Sequence, residues 1–346
     1  MSALTKPVVA VLDAMPQASQ AVINRIFGAE FDVRFVQDDL PESKQAIATD
    51  ATVLLTMWGS VDATTIAATS ACRLIQKLGV GTEKIDDAAA SARGIVVLKA
   101  TGINAEAVAE LTVLLMLAVG RQFVKATAAA RSGRSTKEAL RAESFQLLGK
   151  TVGLYGCGHI GRAVARRLAG FDVSLLYHDA DRLDADTENE LQTRYVTADE
   201  LVETSDVISL HLPSAPSTRH VINESVLARV KPGVTLINTA RGSLIDEDAL
   251  AQAIIDGRVL GAGLDVTETE PISVDSPLFG LERVILTPHI GGAVANNFDR
   301  VIARAYNNTR AILAGKEVAA ADVVGVPAQA SAAAAPIESS DGARGR

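Results

Sequence analysis

The sequence predicts an α/β chain of two doubly wound domains, each on a mostly parallel sheet. Three observations carry that expectation. Short runs of Val, Ile and Leu alternate with Ala-rich helical segments through most of the chain. The series restarts at Thr151, behind which a glycine-rich turn follows. The 346 residues, 48% of them apolar, are long for one domain and sufficient for two cores.

In chain order, the first strands fall at 7–12, 31–36, 51–57, 73–78 and 95–98. Their apolar runs are continuous rather than alternating, which indicates strands covered on both faces. Helical segments between such strands imply right-handed crossovers. A helix over about 104–120 carries the chain into the second series. Its most apolar stretch, "AVAELTVLLMLAV", contains Glu110 and is too short to cross a bilayer. The second series reads "TVGLYG", "DVSLLYHD", "DVISLHL", "VTLIN", "LGAGLDV" and "RVILTP". A helix over about 296–315 is expected to return to the first domain. The stretch from Ala319 is rich in Ala, Pro, Ser and Gly and is expected to be a disordered tail, with no C-terminal regulatory domain. The expected organisation is therefore residues 1–101 with 291–318, residues 102–290, and a tail over 319–346.

A net charge of −8 argues against a nucleic-acid partner, which needs a basic face. Cys72 and Cys157 lack metal-ligand spacing, so no metal site is expected, and two thiols suit a reducing compartment. The N-terminal apolar run is short and broken by Asp13, unlike a signal peptide. These features predict a cytoplasmic protein with no membrane segment.

Within "TVGLYGCGHIGRAVARRLAGFDVSLLYHD", a strand leads into Gly156-x-Gly158-x-x-Gly161, a helix and a second strand ending at Asp179. Glycines permit the tight turn, close approach of a pyrophosphate and close helix packing, and the helix N-terminus supplies N–H groups for phosphates. This context predicts dinucleotide binding. His159 and Ile160 open the helix, though the His159 side chain reads as solvent-facing rather than catalytic. Asp179 can accept the ribose hydroxyls and would repel a 2′-phosphate, favouring NAD over NADP. His178 and Arg182 lie close by and weaken that preference.

Three polar residues follow strands of the second series. Arg241 follows "VTLIN", Glu270 follows "LGAGLDV" and His289 follows "RVILTP". Ligands of open parallel sheets bind at this edge. The trio suits reversible carbonyl reduction: His289 gives the proton, Glu270 holds the His cationic and Arg241 grips a carboxylate. Each residue also has a plain explanation. Arg241 can pair with Asp246, Glu247 or Asp248, Glu270 can be a solvated acid before Pro271, and Pro288-His289 can be a turn.

The stretch "GKTVGLYGCGHIGRAVARRL…YHDA…SDVISLHLPSAPSTRHVIN…LINTARGSLIDEDALAQAIIDGRVLGAGLDVTETEP…VILTPHIGG" closely resembles the D-isomer-specific 2-hydroxyacid dehydrogenases. "QKLGVGTEKIDDAAASARGIVV" and "AVAELTVLLML" resemble their substrate-side loop and linking helix, so the likeness covers roughly 70–315. The resemblance implies a flavodoxin-like substrate domain, a Rossmann NAD-binding domain, NAD as cofactor and a small anionic 2-hydroxy or 2-keto acid as substrate. It implies Arg241, Glu270 and His289 as the catalytic residues. The residues matching the cofactor contacts are Gly156, Gly158, His159, Ile160, Gly161, Asp179, His211, Leu212, Pro213, Thr239, Ala240, Asp265, Gly291 and Gly292. It also implies a homodimer packed across the dinucleotide domains.

The substrate-side loop is "KLGVG", where Gly79, Val80 and Gly81 offer backbone N–H groups to a carboxylate. Lys77 matches a basic position that meets a second anionic group in phosphoglycerate-type members; the alternative is a solvated strand residue. The family's usual Asn and Pro-Gly after strand 95–98 are replaced: Lys99 and Thr101 stand there, and only Gly102 is kept. Trp58, at the end of "TVLLTMW", either walls a pocket or packs on the core rim. The leading expectation is an NAD-dependent D-2-hydroxyacid dehydrogenase, with 3-phosphoglycerate as candidate substrate. The alternatives are a glyoxylate/hydroxypyruvate reductase and, from another class, a non-enzymatic NAD-sensing corepressor. Formate dehydrogenases of the superfamily pair their His with Gln, so Glu270 argues against them.

Overall fold

In a computed structural model, described over residues 6–325, the chain divides into two compact units. One is Met1–Ile103 with the C-terminal stretch from Phe298, and the other is Asn104–Asn297.

The first unit holds β1 (Val8–Val11), β2 (Asp32–Phe35), β3 (Val53–Thr56), β4 (Leu74–Lys77) and β5 (Val96–Leu98). The second holds β6 (Thr151–Tyr155), β7 (Ser174–His178), β8 (Thr193–Tyr195), β9 (Val207–Leu210), β10 (Val234–Asn238), β11 (Val259–Leu264) and β12 (Val284–Leu286). The last strand, β13 (Val323–Gly325), belongs again to the first unit. The first sheet runs β13-β5-β4-β3-β1-β2, parallel except for β13. The second runs β12-β11-β10-β9-β6-β7-β8 and is wholly parallel.

The continuous apolar runs are buried on both sides, as parallel strands under helices require. In β1, Val9 and Val11 enter one layer with Phe27, Leu55, Val301 and Ile302, while Val8 and Ala10 enter the opposite layer with Leu54 and Ile75. In β10, Leu236 and Ile237 split in the same way between two layers. The order of the second sheet reverses at β6, which lies between β7 and β9. The crevice outside the C-terminal ends of strands at such a reversal is where ligands of doubly wound folds bind.

Three features differ from the sequence expectation. Strand β8 is a three-residue edge strand whose apolar content is too low to stand out. Residues 291–297 group with the second unit, because Ile290 and Gly291 donate their N–H groups to Asp265 at 2.8 Å. The expected tail from 319 is corrected at its start. Ala320–Asp322 form a 3₁₀ turn, and β13 pairs antiparallel with β5 through Val323↔Leu98 and Gly325↔Val97. The rest of the expected tail, 326–346, lies outside the described residues.

Among the described residues, no single helix is long and apolar enough to cross a membrane. The helices Ala105–Gly120 and Phe123–Arg131 pass such a test only as a pair bent by 64°. The first buries Val108, Ala109, Leu115, Met116 and Val119 within the second unit. Both thiols are free, and burial pushes Cys72 up to about 11 and Cys157 up to about 12, so both stay protonated near neutrality.

Candidate active site

Gly156 follows β6 at φ 98°, a conformation that favours glycine. A Cβ there would also stand 2.7 Å from the backbone C and O of His211, so the turn must pass directly against the end of β9. At Gly161 a Cβ would meet the Gly156 carbonyl oxygen at 2.4 Å, which lets the helix His159–Leu168 sit on the turn. At Gly158 a Cβ would meet nothing within 4 Å. Gly158 is also the N-cap of that helix and supplies no side-chain hydrogen bond to its first N–H groups. Two glycines thus close the turn, while the third opens onto space beside uncapped donors. That arrangement fits a dinucleotide pyrophosphate. Gly156 to Gly161 would hold it.

Asp179 follows β7 and accepts from the Cys157 N–H at 2.6 Å, so the acid and the turn are tied together. The two neighbours that weakened the NAD preference are committed elsewhere. His178 Nδ1 lies 2.9 Å from the Val196 carbonyl. Arg182 makes a two-point bond to Glu188 at 2.9 and 3.0 Å and stacks over Tyr195. Arg182 and Tyr177 hold the Glu188 carboxyl down to about 2. A guanidinium engaged in this way is not available to clamp a 2′-phosphate. Asp179→Ser is therefore expected to lower the preference for NAD over NADP by roughly tenfold to a hundredfold, the worth of one charge-assisted contact. Steady-state kinetics with both cofactors measure this, and unchanged discrimination would remove Asp179 from the adenosine site.

His211, with Leu212 and Pro213 after it, continues β9 through its N–H, which donates to the Tyr155 carbonyl at 2.7 Å. Its ring Nε2 meets Ser209 Oγ at 3.0 Å, and burial pushes the imidazole down to about 3. It is neutral at physiological pH and offers no cation to the turn. Thr239, after β10, is buried and shares a 2.8 Å hydroxyl bond with Thr112.

The end of β10 is shaped by Asn238, a residue without a distinctive motif. Its Oδ1 accepts from the Ala240 N–H at 3.0 Å and its Nδ2 donates to the Arg241 carbonyl at 2.8 Å. The only sequence signal for it is a polar residue closing a buried strand. Arg241 is half-buried and donates from Nη1 to the Ala240 carbonyl at 2.6 Å. Two of the three acids considered as its plain partners have other bonds: Asp246 caps the next helix at the Ala249 N–H, and Glu247 accepts from the Glu268 N–H. The following Gly242 is packed against the loop after β11, where a Cβ would lie 2.0 Å from the Thr267 carbonyl carbon.

Asp265, 1% exposed, closes β11. Its carboxylate accepts from Thr287 Oγ1 at 2.6 Å and from the Ile290 and Gly291 N–H groups, and its carbonyl accepts from the His289 N–H at 2.8 Å. Every one of these bonds holds the loop that carries His289. His289 itself adopts φ 53°, a left-handed conformation uncommon for a non-glycine residue, and such strain concentrates at functional sites. Its Nδ1 lies 2.9 Å from Glu270 Oε2, with both side chains roughly half exposed. The structure therefore brings Glu270 and His289 into direct contact. Glu268, two residues earlier, is instead tied to Arg219 at 2.5 Å, and that pairing holds its carboxyl below the ordinary range.

Residues 113–291 match the family model of the D-isomer specific 2-hydroxyacid dehydrogenase NAD binding domain. The chain belongs to this family. Among curated relatives of the D-2-hydroxyacid dehydrogenases, it is 37% identical over 315 residues to the D-3-phosphoglycerate dehydrogenase of Mycobacterium leprae. That match covers 90% of this chain and 58% of the relative, so the chain spans somewhat over half the length of that protein. It is 42% identical over 243 residues to the hydroxypyruvate reductase of Thermotoga maritima, covering 70% of this chain and 78% of the other. The solved TT0316 protein of Thermus thermophilus superposes with a TM-score of 0.81 at 33% identity, over 92% of this chain and all of that one. The two sheets are those of the family's doubly wound α/β fold, and the second domain is its NAD-binding domain.

In the first domain, Lys77 ends β4 and is buried rather than solvated, which corrects the plain alternative for it. Its ammonium donates to the Met57 carbonyl. The Met57, Trp58 and Gly59 N–H groups all donate to the carboxylate of buried Asp13, at 2.5 to 3.1 Å. Trp58 itself is 44% exposed. Its backbone is held at the C-terminal edge of the first sheet, and its ring lies outside the core. Gly79, Val80 and Gly81 follow Lys77, and the Gly79 carbonyl accepts from the Ala100 N–H at 2.8 Å. Among the described residues no group of three or more His, Cys, Asp or Glu side chains has metal-binding placement.

Proposed function

We propose that this chain is an NAD-dependent oxidoreductase that interconverts a 2-keto acid and a D-2-hydroxy acid. The single observation that carries the proposal is the 2.9 Å contact between His289 Nδ1 and Glu270 Oε2, on the strand-end edge of the sheet that also bears Arg241 and the dinucleotide turn. NAD, when bound, supplies or accepts the hydride. With Nδ1 committed to Glu270, Nε2 is the ring nitrogen that exchanges a proton with the substrate oxygen. Protonated, it gives the proton as a keto acid is reduced; neutral, it takes one as a hydroxy acid is oxidised. The Glu270 carboxylate orients the ring and supports its charge. Arg241 grips the substrate carboxylate, which its planar fork can bind at two points.

The proposed cofactor contacts are the turn Gly156–Gly161, Asp179, His211–Pro213, Thr239, Ala240, Asp265, Gly291 and Gly292. For the first domain we assign an anion-binding role to Lys77, Gly79, Val80 and Gly81. The leading substrate is the phosphorylated three-carbon acid that the Mycobacterium relative's name specifies. Glyoxylate or hydroxypyruvate reduction is the alternative. A non-enzymatic NAD sensor is the reading from a different class.

A screen of NADH oxidation over 2-keto acids of graded size and charge tests all three. Turnover is expected with at least one, and the highest kcat/KM with 3-phosphohydroxypyruvate supports the leading substrate. Preference for glyoxylate or hydroxypyruvate moves the assignment to the alternative. NADH binding with no turnover on any acid would sink the enzyme proposal.

We further propose a homodimer through the second domain, in the cytoplasm. Leu114, Leu117, Phe123, Val124 and Leu148 are large, apolar and exposed on it. Leu117 and Leu148 line one groove with Met116, Phe145, Leu147 and Phe171. Exposed apolar clusters of this kind are normally covered by a partner. Leu117→Glu with Phe123→Glu is expected to convert a dimer to a monomer in light scattering. A wild-type monomer, or a variant that stays dimeric, counts against this face.

A further inference from the structure

The short segment from Ala319 to Gly325 adds β13 to the edge of the first sheet, and it also brings in a buried charge. Asp322 is fully buried. A carboxylate persists in such a place only when donors surround it. Thr101 N–H donates to Oδ1 at 3.1 Å, and Arg304 Nε and Asn308 Nδ2 donate to Oδ2 at 2.7 and 3.1 Å. Burial alone would raise this carboxyl, but Arg304, Asn308 and Thr101 hold it below the ordinary range, so it is an anion at neutral pH. An edge strand needs only its ladder to β5, and that ladder is already in place. The charge calls for another explanation.

Two hydrogen-bonded routes lead from Asp322 to the Lys77–Gly81 segment. Asn308 uses its second N–H on Gln76 Oε1 at 3.1 Å, and Gln76 Nε2 donates to the Lys77 carbonyl at 2.8 Å. Gln76 and Asn308 are buried, so no solvent competes along this route. The second route crosses the loop after β5. Lys99 N–H donates to the Asp322 carbonyl at 2.8 Å, Thr101 Oγ1 donates to the Ala321 carbonyl at 2.7 Å, and Ala100 N–H between them donates to the Gly79 carbonyl at 2.8 Å. Both Lys77 and Gly79 are thus held through their carbonyls, and the Leu78 N–H between them donates to the Thr56 carbonyl at 2.8 Å.

We infer that Asp322 is a positioning residue: from the edge of the sheet beside β5 it fixes the Lys77–Gly81 segment and so sets the affinity of the first domain for the substrate anion. The inference rests on the anion-binding role assigned to that segment above. It gives residues beyond the long C-terminal helix a part in substrate selection without contact with substrate.

Hydrogen exchange and kinetics on the full chain test it. In Asp322→Ala, amides at 77–81 and 99–101 are expected to exchange about tenfold faster or more, while those of β1 and β2 keep wild-type rates. The KM for the keto acid is expected to rise about tenfold with kcat and NADH affinity little changed. Gln76→Met cuts only the first route and is expected to give a smaller shift of the same kind. Wild-type exchange at 77–81 in Asp322→Ala, or uniformly faster exchange across the whole first domain, would overturn the inference and leave Asp322 as a fold anchor. If Asp322→Ala does not fold, Gln76→Met decides, and an unshifted KM there overturns the inference. A wild-type protein without turnover on any acid would defeat the functional proposal alone, since the exchange measurement still judges the positioning.

Discussion

His289→Ala is expected to lower kcat for keto-acid reduction by roughly 10²–10⁴-fold, the usual worth of a placed proton donor. The reason is geometric. Asp265 holds the His289 loop by four bonds, and Glu270 fixes Nδ1 at 2.9 Å, so a single ring nitrogen is presented to the strand-end crevice. NADH affinity should match the wild type, because the turn Gly156–Gly161 is untouched. Glu270→Gln keeps the shape and removes the charge, and the loss should be smaller. Without the carboxylate beside it the ring loses the acceptor that orients it. Both directions should then slow, with NADH affinity retained. Arg241→Lys is expected to raise the keto-acid KM, since an ammonium cannot make a planar two-point grip. Steady-state rates in both directions check the set. Reduction by His289→Ala within about tenfold of wild type would remove it as the proton donor. A reduction rate unmoved by Glu270→Gln would dissolve the pairing.

Gly242→Ala is expected to cost stability and activity together, although the residue carries no chemistry. Its Cβ would fall 2.0 to 2.4 Å from the backbone of Thr267 and Glu268, where no rotamer can yield. The turn after Arg241 and the loop leading to Glu270 must move apart. Overpacking of this kind costs about 1–3 kcal/mol, and a displacement of about 1 Å at a reacting group can cost about 10²-fold in rate. A lowered Tm with kcat/KM reduced about 10²-fold, and NADH binding retained, is the expected result. Thermal unfolding and steady-state kinetics measure it. A variant with wild-type Tm and rate would show that the two loops tolerate separation, and that Arg241 and Glu270 need no fixed relation.

Much of the fold was legible because parallel strands buried on both faces leave an unmistakable record. "VVAV", "VLLT" and "VTLIN" have few other ways to satisfy their apolar runs, and Gly156-x-Gly158-x-x-Gly161 marks where one strand must turn sharply into a helix. Strands β8 and β13 left no such record. Each is a three-residue edge strand, paired on one side and chosen by what it lies against. The stretch from 319 reads as a low-complexity tail, and Asp322 within it gains a role only from Thr101, Arg304 and Asn308, which the fold brings to it from elsewhere in the chain.

The site divides along the same line. The residue types Arg241, Glu270 and His289 at three successive strand ends were fixed by local sequence, since a strand end in a doubly wound sheet always faces the ligand edge. Their pairing was not. "TETEP" offers two glutamates, and only the packing of the loop decides that Glu268 is held by Arg219 while Glu270 meets His289. Likewise His178 and Arg182 read as possible phosphate ligands until Val196 and Glu188 were seen to occupy them. The chemical identity of a group and its place along a strand are local properties of the chain. Its partner is a long-range property, set by whichever side chain the fold brings within hydrogen-bond distance.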